Sequence, residues 1–349
     1  MYTDRLNNSN TCPRVDIGGQ AVMEGVMMRA PDRTAIAVRR PDHTIVVKAD
    51  KYVPLKDKHA WMGWPFLRGM VNMAPMLVFG MRTLEDSTAM LGILDEEPTK
   101  FEKWLAKKLG KGVDKIVMFF AIVLAVILSL GIFMAVPAAI ETALKAAGMS
   151  ALGYTLIGGI VKIGLLIGYM VLVSFVPDVR RTFQYHGAEH KTVYCNEHGL
   201  PLTPENAQTF SRLHPRCGTA FLLIVFMISI LLFLVLNVLF PIDNFLLRFL
   251  FHLCMLPIVA GTSYEVLKGL AHSESTIAKI LRWPGLQMQR LTTRTPDDGM
   301  LECAIVAMNC ALHGLPKGFP KTKEGWVILH SYRESDPNYV PETSEEKTE

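Results

Sequence analysis

"IVMFFAIVLAVILSLGIFMAV", residues 116–136, runs without a single charged side chain. An α-helix rises about 1.5 Å per residue, so about 20 apolar residues cross the hydrocarbon core of a bilayer. Two further stretches qualify on the same ground, "TLIGGIVKIGLLIGYMVLVSFV" (155–176) and "AFLLIVFMISILLFLVLNVLF" (220–240). A fourth, "FLLRFLFHLCMLPIVAGTSY" (245–264), carries Arg248 and His252 but is otherwise apolar. The expected fold is a mainly α-helical polytopic membrane protein with four transmembrane helices. A small α+β part, an N-terminal β-hairpin plus C-terminal helices, completes it. The composition agrees: 50% of the 349 residues are hydrophobic and only 19% are charged.

Lysine and arginine in the flanking loops set the expected orientation. Residues 100–115 hold Lys100, Lys103, Lys107, Lys108, Lys111 and Lys115, whereas the loop after span 1 holds only Lys145. The loop between spans 2 and 3 holds Arg180, Arg181, Lys191, Arg212 and Arg216, and "PIDN" between spans 3 and 4 holds none. The chain beyond span 4 is basic again, from Lys268 to Arg294. Both termini and the 178–219 loop are therefore expected on the cytoplasmic side of a bacterial inner membrane. In that reducing compartment Cys195 and Cys217 are expected as thiols or metal ligands. The six cysteines, at 12, 195, 217, 254, 303 and 310, form no disulfide framework. No secretory signal is expected in the polar first thirty residues. A net charge of +4 gives no argument for nucleic acid.

The remaining chain divides by pattern. Residues 1–13 are expected to be flexible, and 14–60 β-rich. There "TAIAV" and "TIVVK" flank the turn "RRPDH". Residues 61–91 have apolar positions at helical spacing, with Arg68, Asn72 and Pro75 among them. They suggest an amphipathic interfacial helix rather than a span. Residues 92–115 are a basic linker. The 178–219 loop reads as a helical hairpin, with helices over about 179–198 and 204–212. Residues 265–332 read as a helical region in which aspartates cap "MLECAIVAMNCAL". The acidic tail 333–349 is expected to be disordered.

The chemistry concentrates in "YHGAEHKTVYC" (185–195). His186 and His190 are four apart and share one face of a helix, and Glu189 stands on the same side. The order H-x-x-E-H is that of zinc enzymes in which both histidines bind the metal and the glutamate is the general base. Zinc needs further ligands. "SRLHPRCGT" (211–219) offers His214 and Cys217, and "GTSYEVLKG" offers Glu265 at the end of span 4, with Glu24 a weaker alternative. Four bound ligands would close the site as a structural one, whereas three would leave a position for chemistry. The competing reading is a solvated helix face. His252 with Arg248, and Lys162 in span 2, read as isolated structural or snorkelling residues.

These motifs together resemble the YqhQ-like family of bacterial multi-pass membrane proteins, a domain family of unknown function. The resemblance rests on "GGQAVMEGVMMR" (18–29), "HGAEHKTVYC" (186–195), "SRLHPRCGTAFL" (211–222), "PIVAGTSYE" (257–265) and "PGLQMQRLTTRTPDDGMLECAIVAM" (284–308). It implies a predicted metal-dependent enzyme without a known substrate. It also implies that Glu24, His186, Glu189, His190, His214, Arg216, Cys217 and Glu265 belong to shared motifs. The family carries a glutamate where this chain has "NMAPML" (72–77), so no role for that carboxylate transfers.

Two functions follow as expectations. The first is a metal-dependent hydrolase, with Zn²⁺ or another divalent metal held at the cytoplasmic membrane surface. His186 and His190 would bind the metal, with His214, Cys217 or Glu265 completing the ligands. Glu189 would be the base, and Arg216 would stabilise developing negative charge. Its substrate, a small molecule, a lipid or a protein, is not written in any motif, and neither is the oligomeric state. The second is a non-catalytic assembly or regulatory protein with a structural metal. A transporter ranks third, because the spans offer few polar groups.

Overall fold

The structure, a computed structural model, describes residues 17–53, 60–92, 113–240, 242, 244–271, 273 and 275–339. The expected flexible start, most of the basic linker and the last ten residues lie outside this set. Four strands open the described chain: β1 (Gly18–Val22), β2 (Gly25–Arg29), β3 (Arg33–Arg39) and β4 (Ile45–Lys51). They form an antiparallel meander in chain order. Glu24, in the two-residue β1–β2 turn, has φ 50, a left-handed conformation. A fifth strand, β5 (Val327–Leu329), joins beside β4 through Ile45↔Leu329, Val46↔Ile328 and Val47↔Val327. The C-terminal region, expected to be wholly helical, thus returns to complete the N-terminal sheet.

Both faces of the sheet are buried, which explains why its strands read as continuous apolar runs. Period-two alternation sends Val26, Met28, Ala35, Ala37, Ile45 and Val47 into one core. Met27, Ile36, Val38 and Val46 go into another. The first core is covered by a helix numbered α10 below (Asp298–His313), of which every residue from 303 to 311 is buried. A helix apolar all round must be enclosed, and this one packs on β2 and β3. Asp297 caps it, accepting from the Met300 N–H at 2.8 Å. The second core is covered by α1 (Leu67–Leu91) through Phe79, Met90 and Leu91. The other side of α1 exposes Met76, Leu77, Val78, Met81 and Leu84.

Four helical segments are long and apolar enough to cross a membrane. The first runs through α2 (Val113–Leu130), a π-helical turn (Gly131–Ala135) and α3 (Val136–Ala146). It continues ten residues beyond the expected end of span 1, because the π-helical turn carries the helix on into α3 across Pro137. The others are α4 (Ala151–Val173), α7 (Gly218–Leu239) and α8 (Phe245–Ala271). α4 packs on α3 and α7, and α7 also packs on α8.

Between α4 and α7 lie α5 (Pro177–Glu197) and the single turn α6 (Pro204–Gln208). Pro177 and Asp178 start α5, and Thr203 caps α6 by accepting from Asn206 N–H. The second arm of the expected hairpin is therefore short, and residues 209–217 follow an irregular path. α9 (Thr276–Thr292) packs along α7. The acidic tail does not begin at 333 as loose chain: Tyr332–Ser335 form a 3₁₀ turn. Ser335 is buried there because Asn309 Nδ2 of α10 donates to its hydroxyl at 3.0 Å.

Candidate metal centre

α5 sets the site. Its four-residue spacing brings His186 and His190 edge to face, with ring centroids 4.4 Å apart. The helix sits hard against the chain leading into α10. Phe183 C=O accepts from Arg294 N–H at 2.8 Å. A Cβ on Gly187 would collide with the Arg294 carbonyl oxygen. The glycine in "HGAEH" is what lets that backbone approach.

Each histidine is fixed by a backbone carbonyl. Nδ1 of His186 lies 2.9 Å from Thr292 O, the end of α9. Nδ1 of His190 lies 2.5 Å from Arg212 O. A carbonyl only accepts, so each Nδ1 carries the proton and each Nε2 presents a lone pair. This is the arrangement by which proteins orient metal-binding imidazoles. Cys217 Sγ lies 3.3 Å from His186 Nε2. One ligand atom from each of His186, His190 and Cys217 falls within 4.8 Å of the other two. Nε2 of His190 is buried and makes no hydrogen bond of good geometry among the described residues, Cys217 being the group that acts on it most closely. Burial pushes the His190 imidazole down, favouring the neutral, metal-binding form.

His214 is near, with its ring centroid 5.7 Å from that of His190, but both its nitrogens are engaged. Nδ1 accepts from Arg216 N–H at 3.3 Å. Nε2 faces the Glu197 carboxylate at 3.3 Å. Burial holds this imidazole down at about 4, against the opposing pull of Glu189. Its main chain is clasped by Gln289, whose Oε1 accepts from His214 N–H at 2.7 Å while Nε2 donates to His214 O at 2.8 Å. The expected four-ligand set therefore reduces to three, with His214 hydrogen-bonded beside it.

Glu189 is buried on the side of α5 that meets β1. A Cβ on Gly19 would lie only 2.7 Å from its Cγ and Oε1. Burial raises its pKa, while His186 and His214 pull the other way. Arg216 pairs with Glu197, so the guanidinium expected to stabilise an oxyanion is held by a carboxylate. Glu265 is not with the histidines. It binds Arg68 of α1 in a bidentate pair, with Nε at 2.7 Å, and accepts from Phe66 N–H at 3.2 Å. Glu24 binds Arg181 through both oxygens at 2.5 Å and accepts from Tyr185 at 3.3 Å. Two carboxylates proposed as ligands are thus ion-pair partners that tie α8 to α1 and the sheet to α5. Cys195 is buried against the Leu200 and Pro201 carbonyls, and burial pushes its thiol up to about 11. Nothing in the sequence marked Thr292, Arg212 and Gln289, two of which act through their backbone carbonyls.

Comparison with known proteins places the chain. The family model described as "Protein of unknown function (DUF1385)" matches residues 64–314. "Uncharacterized protein YqhQ" of Bacillus subtilis (strain 168) is 34% identical over 300 residues, which cover 84% of this chain and 91% of that protein. No solved structure matches the chain significantly. A family match over most of the chain and an end-to-end relative agree: the chain belongs to the YqhQ-like family of proteins of unknown function (DUF1385).

Proposed function

We propose that this protein is a metal-dependent hydrolase of the bacterial inner membrane, with its site on the cytoplasmic face. The observation that carries the metal is the buried Nε2 of His190, without a hydrogen bond of good geometry, beside Cys217 and His186. Burying a polar atom without a well-formed hydrogen bond costs about 1–3 kcal/mol, and a cation between these three groups would remove that cost. Two imidazole nitrogens and a sulfur suit Zn²⁺. When bound, the ion supplies Lewis acidity and charge stabilisation. Three ligands rather than four are the pattern of a site that keeps a position for substrate.

The chain's own residues fill the other roles. Glu189 is the proton acceptor, in a buried position that raises its pKa. Thr292 and Arg212 carbonyls hold the imidazoles in one tautomer. Burial keeps His214 neutral, and Arg216 N–H and Glu197 fix its ring, so these residues position rather than react. The four apolar helices and the lysine and arginine bias of the loops support a membrane location with both termini inside. α9, which supplies the Thr292 carbonyl, exposes Ile277, Ile280 and Trp283 and packs along α7. That face suits the lipid interface.

A structural metal is the second reading, favoured by how deeply His190 and Cys217 are buried. One experiment separates the two. The protein is purified in nanodiscs, its metal measured by elemental analysis, and Glu189→Gln compared with wild type. A folded, metal-replete, inactive Glu189→Gln protein supports the hydrolase. Full function in that variant supports the structural role, and a wild type without stoichiometric metal ends both.

A further inference from the structure

A second polar cluster lies inside the apolar helices, far from the histidines. Glu141 of α3, Lys162 of α4, and Arg248 and His252 of α8 are at most 7% exposed. Read along the sequence they are isolated charges; folding gathers them. Lys162 Nζ lies 3.8 Å from Glu141 Oε1. Phe233 of α7 links the set: the Lys162 ammonium sits 5.2 Å over its ring, and His252 stacks on it at 3.9 Å. Arg248 lies over the ring of Tyr154 and donates through Nη2 to Ile242 O at 2.7 Å. The charges of both Lys162 and Arg248 act on Glu141.

The cluster is incomplete in two independent ways. First, among the described residues and in their ordinary charge states, one carboxylate faces two cations. An uncompensated charge in an apolar interior is costly. Second, several of its buried atoms have no hydrogen-bond partner among the described residues: Arg248 Nε and Nη1, His252 Nε2 and Glu141 Oε2. Three of these four are nitrogens that can donate, and such orphans call for an explanation. Lys162 is eleven residues before the end of α4, so the cluster stands about 17 Å along that helix from α5 and the histidine site.

We propose that this cluster is a binding site for one small monovalent anion, of the halide or carboxylate class, held chiefly by Arg248 with His252. The ligand supplies the missing negative charge and accepts from the orphaned donors. Glu141 is its internal competitor: its carboxylate takes up part of the positive field that the anion would otherwise have. The site is confined to small anions because all four polar residues are almost fully enclosed.

The test uses the full chain in nanodiscs. Thermal unfolding is followed while sodium chloride or sodium formate replaces sodium gluconate at constant ionic strength. The expected result is a saturable rise in the unfolding midpoint with chloride, formate or both, absent in Arg248→Met. If Arg248→Met does not fold, Glu141→Gln decides. Removing the competing carboxylate should tighten the apparent anion affinity about tenfold or more. Indifference of the wild type to both anions would overturn the proposal. So would a Glu141→Gln variant that binds no tighter, which would make the cluster a closed set of mutual ion pairs.

Discussion

His186 and Cys217 stand thirty-one residues apart in the chain, yet Nε2 of one lies 3.3 Å from Sγ of the other. The contact joins the middle of α5 to the residue just before α7, and His190 completes the triangle. Removing one corner should therefore weaken metal binding rather than packing alone. Cys217→Ser is expected to lower metal affinity by about a hundredfold, because a hydroxyl is a far poorer zinc ligand than a thiolate. Competition with a chromogenic chelator measures it, and unchanged affinity would remove Cys217 from the ligand set.

Glu265 should behave in the opposite way. Its carboxylate is committed to Arg68. Glu265→Gln is expected to leave metal content at the wild-type level and to cost about 1 kcal/mol of stability, the range of a partly exposed ion pair. Elemental analysis beside a thermal melt reads both quantities. Loss of metal in this variant would return Glu265 to the site.

Acid should destabilise the site through His214. Its folded pKa is depressed to about 4 from an ordinary 6.5, so between these values the unfolded chain binds more protons than the folded one. The contribution is complete above pH 6.5 and is lost as pH falls towards 4, amounting to about 3 kcal/mol at most. His190 is shifted in the same direction and adds to the trend. Melts across this window should show a slope that His214→Gln reduces, and an identical slope in that variant would exclude His214 as its source.

Gly19 tests the position of Glu189 without touching the metal. A methyl group there meets Glu189 from Cγ to its carboxylate, so the buried side chain must shift. Gly19→Ala is expected to keep its metal and to lose about 1–3 kcal/mol. Its turnover should fall about a hundredfold, the usual consequence of a catalytic group displaced by about 1 Å. The measurement belongs in the assay that Glu189→Gln fails, and wild-type turnover would mean that Glu189 needs no fixed position.

What could be seen in the sequence was whatever one segment determines by itself. Apolar length marked the four long helices, β-branched runs marked the hairpin of β3 and β4 but not β1 and β2, and the four-residue spacing paired His186 with His190. What could not be seen depends on distant partners. β5 is three residues long, too short for any period, and exists because β4 offers an edge to it. Glu265 could not be assigned to Arg68, 197 positions away. Lys162 could not be joined to Arg248 and His252 because their helices meet only in the folded bundle. The orienting carbonyls of Thr292 and Arg212 are invisible in principle, since every residue has one.

The strand order β1-β2-β3-β4-β5 spans almost the whole described chain, from Gly18 to Leu329, and every apolar helix lies in between. During synthesis the first four strands emerge with one face bare, because α10 and β5 are made last. The sheet can be sealed only after α2 to α8 have found places that bring residues 298–329 back to it. Val26, Ala35 and Ile45 stay uncovered until that return is made, so closure of the sheet depends on every helix between its fourth and fifth strands.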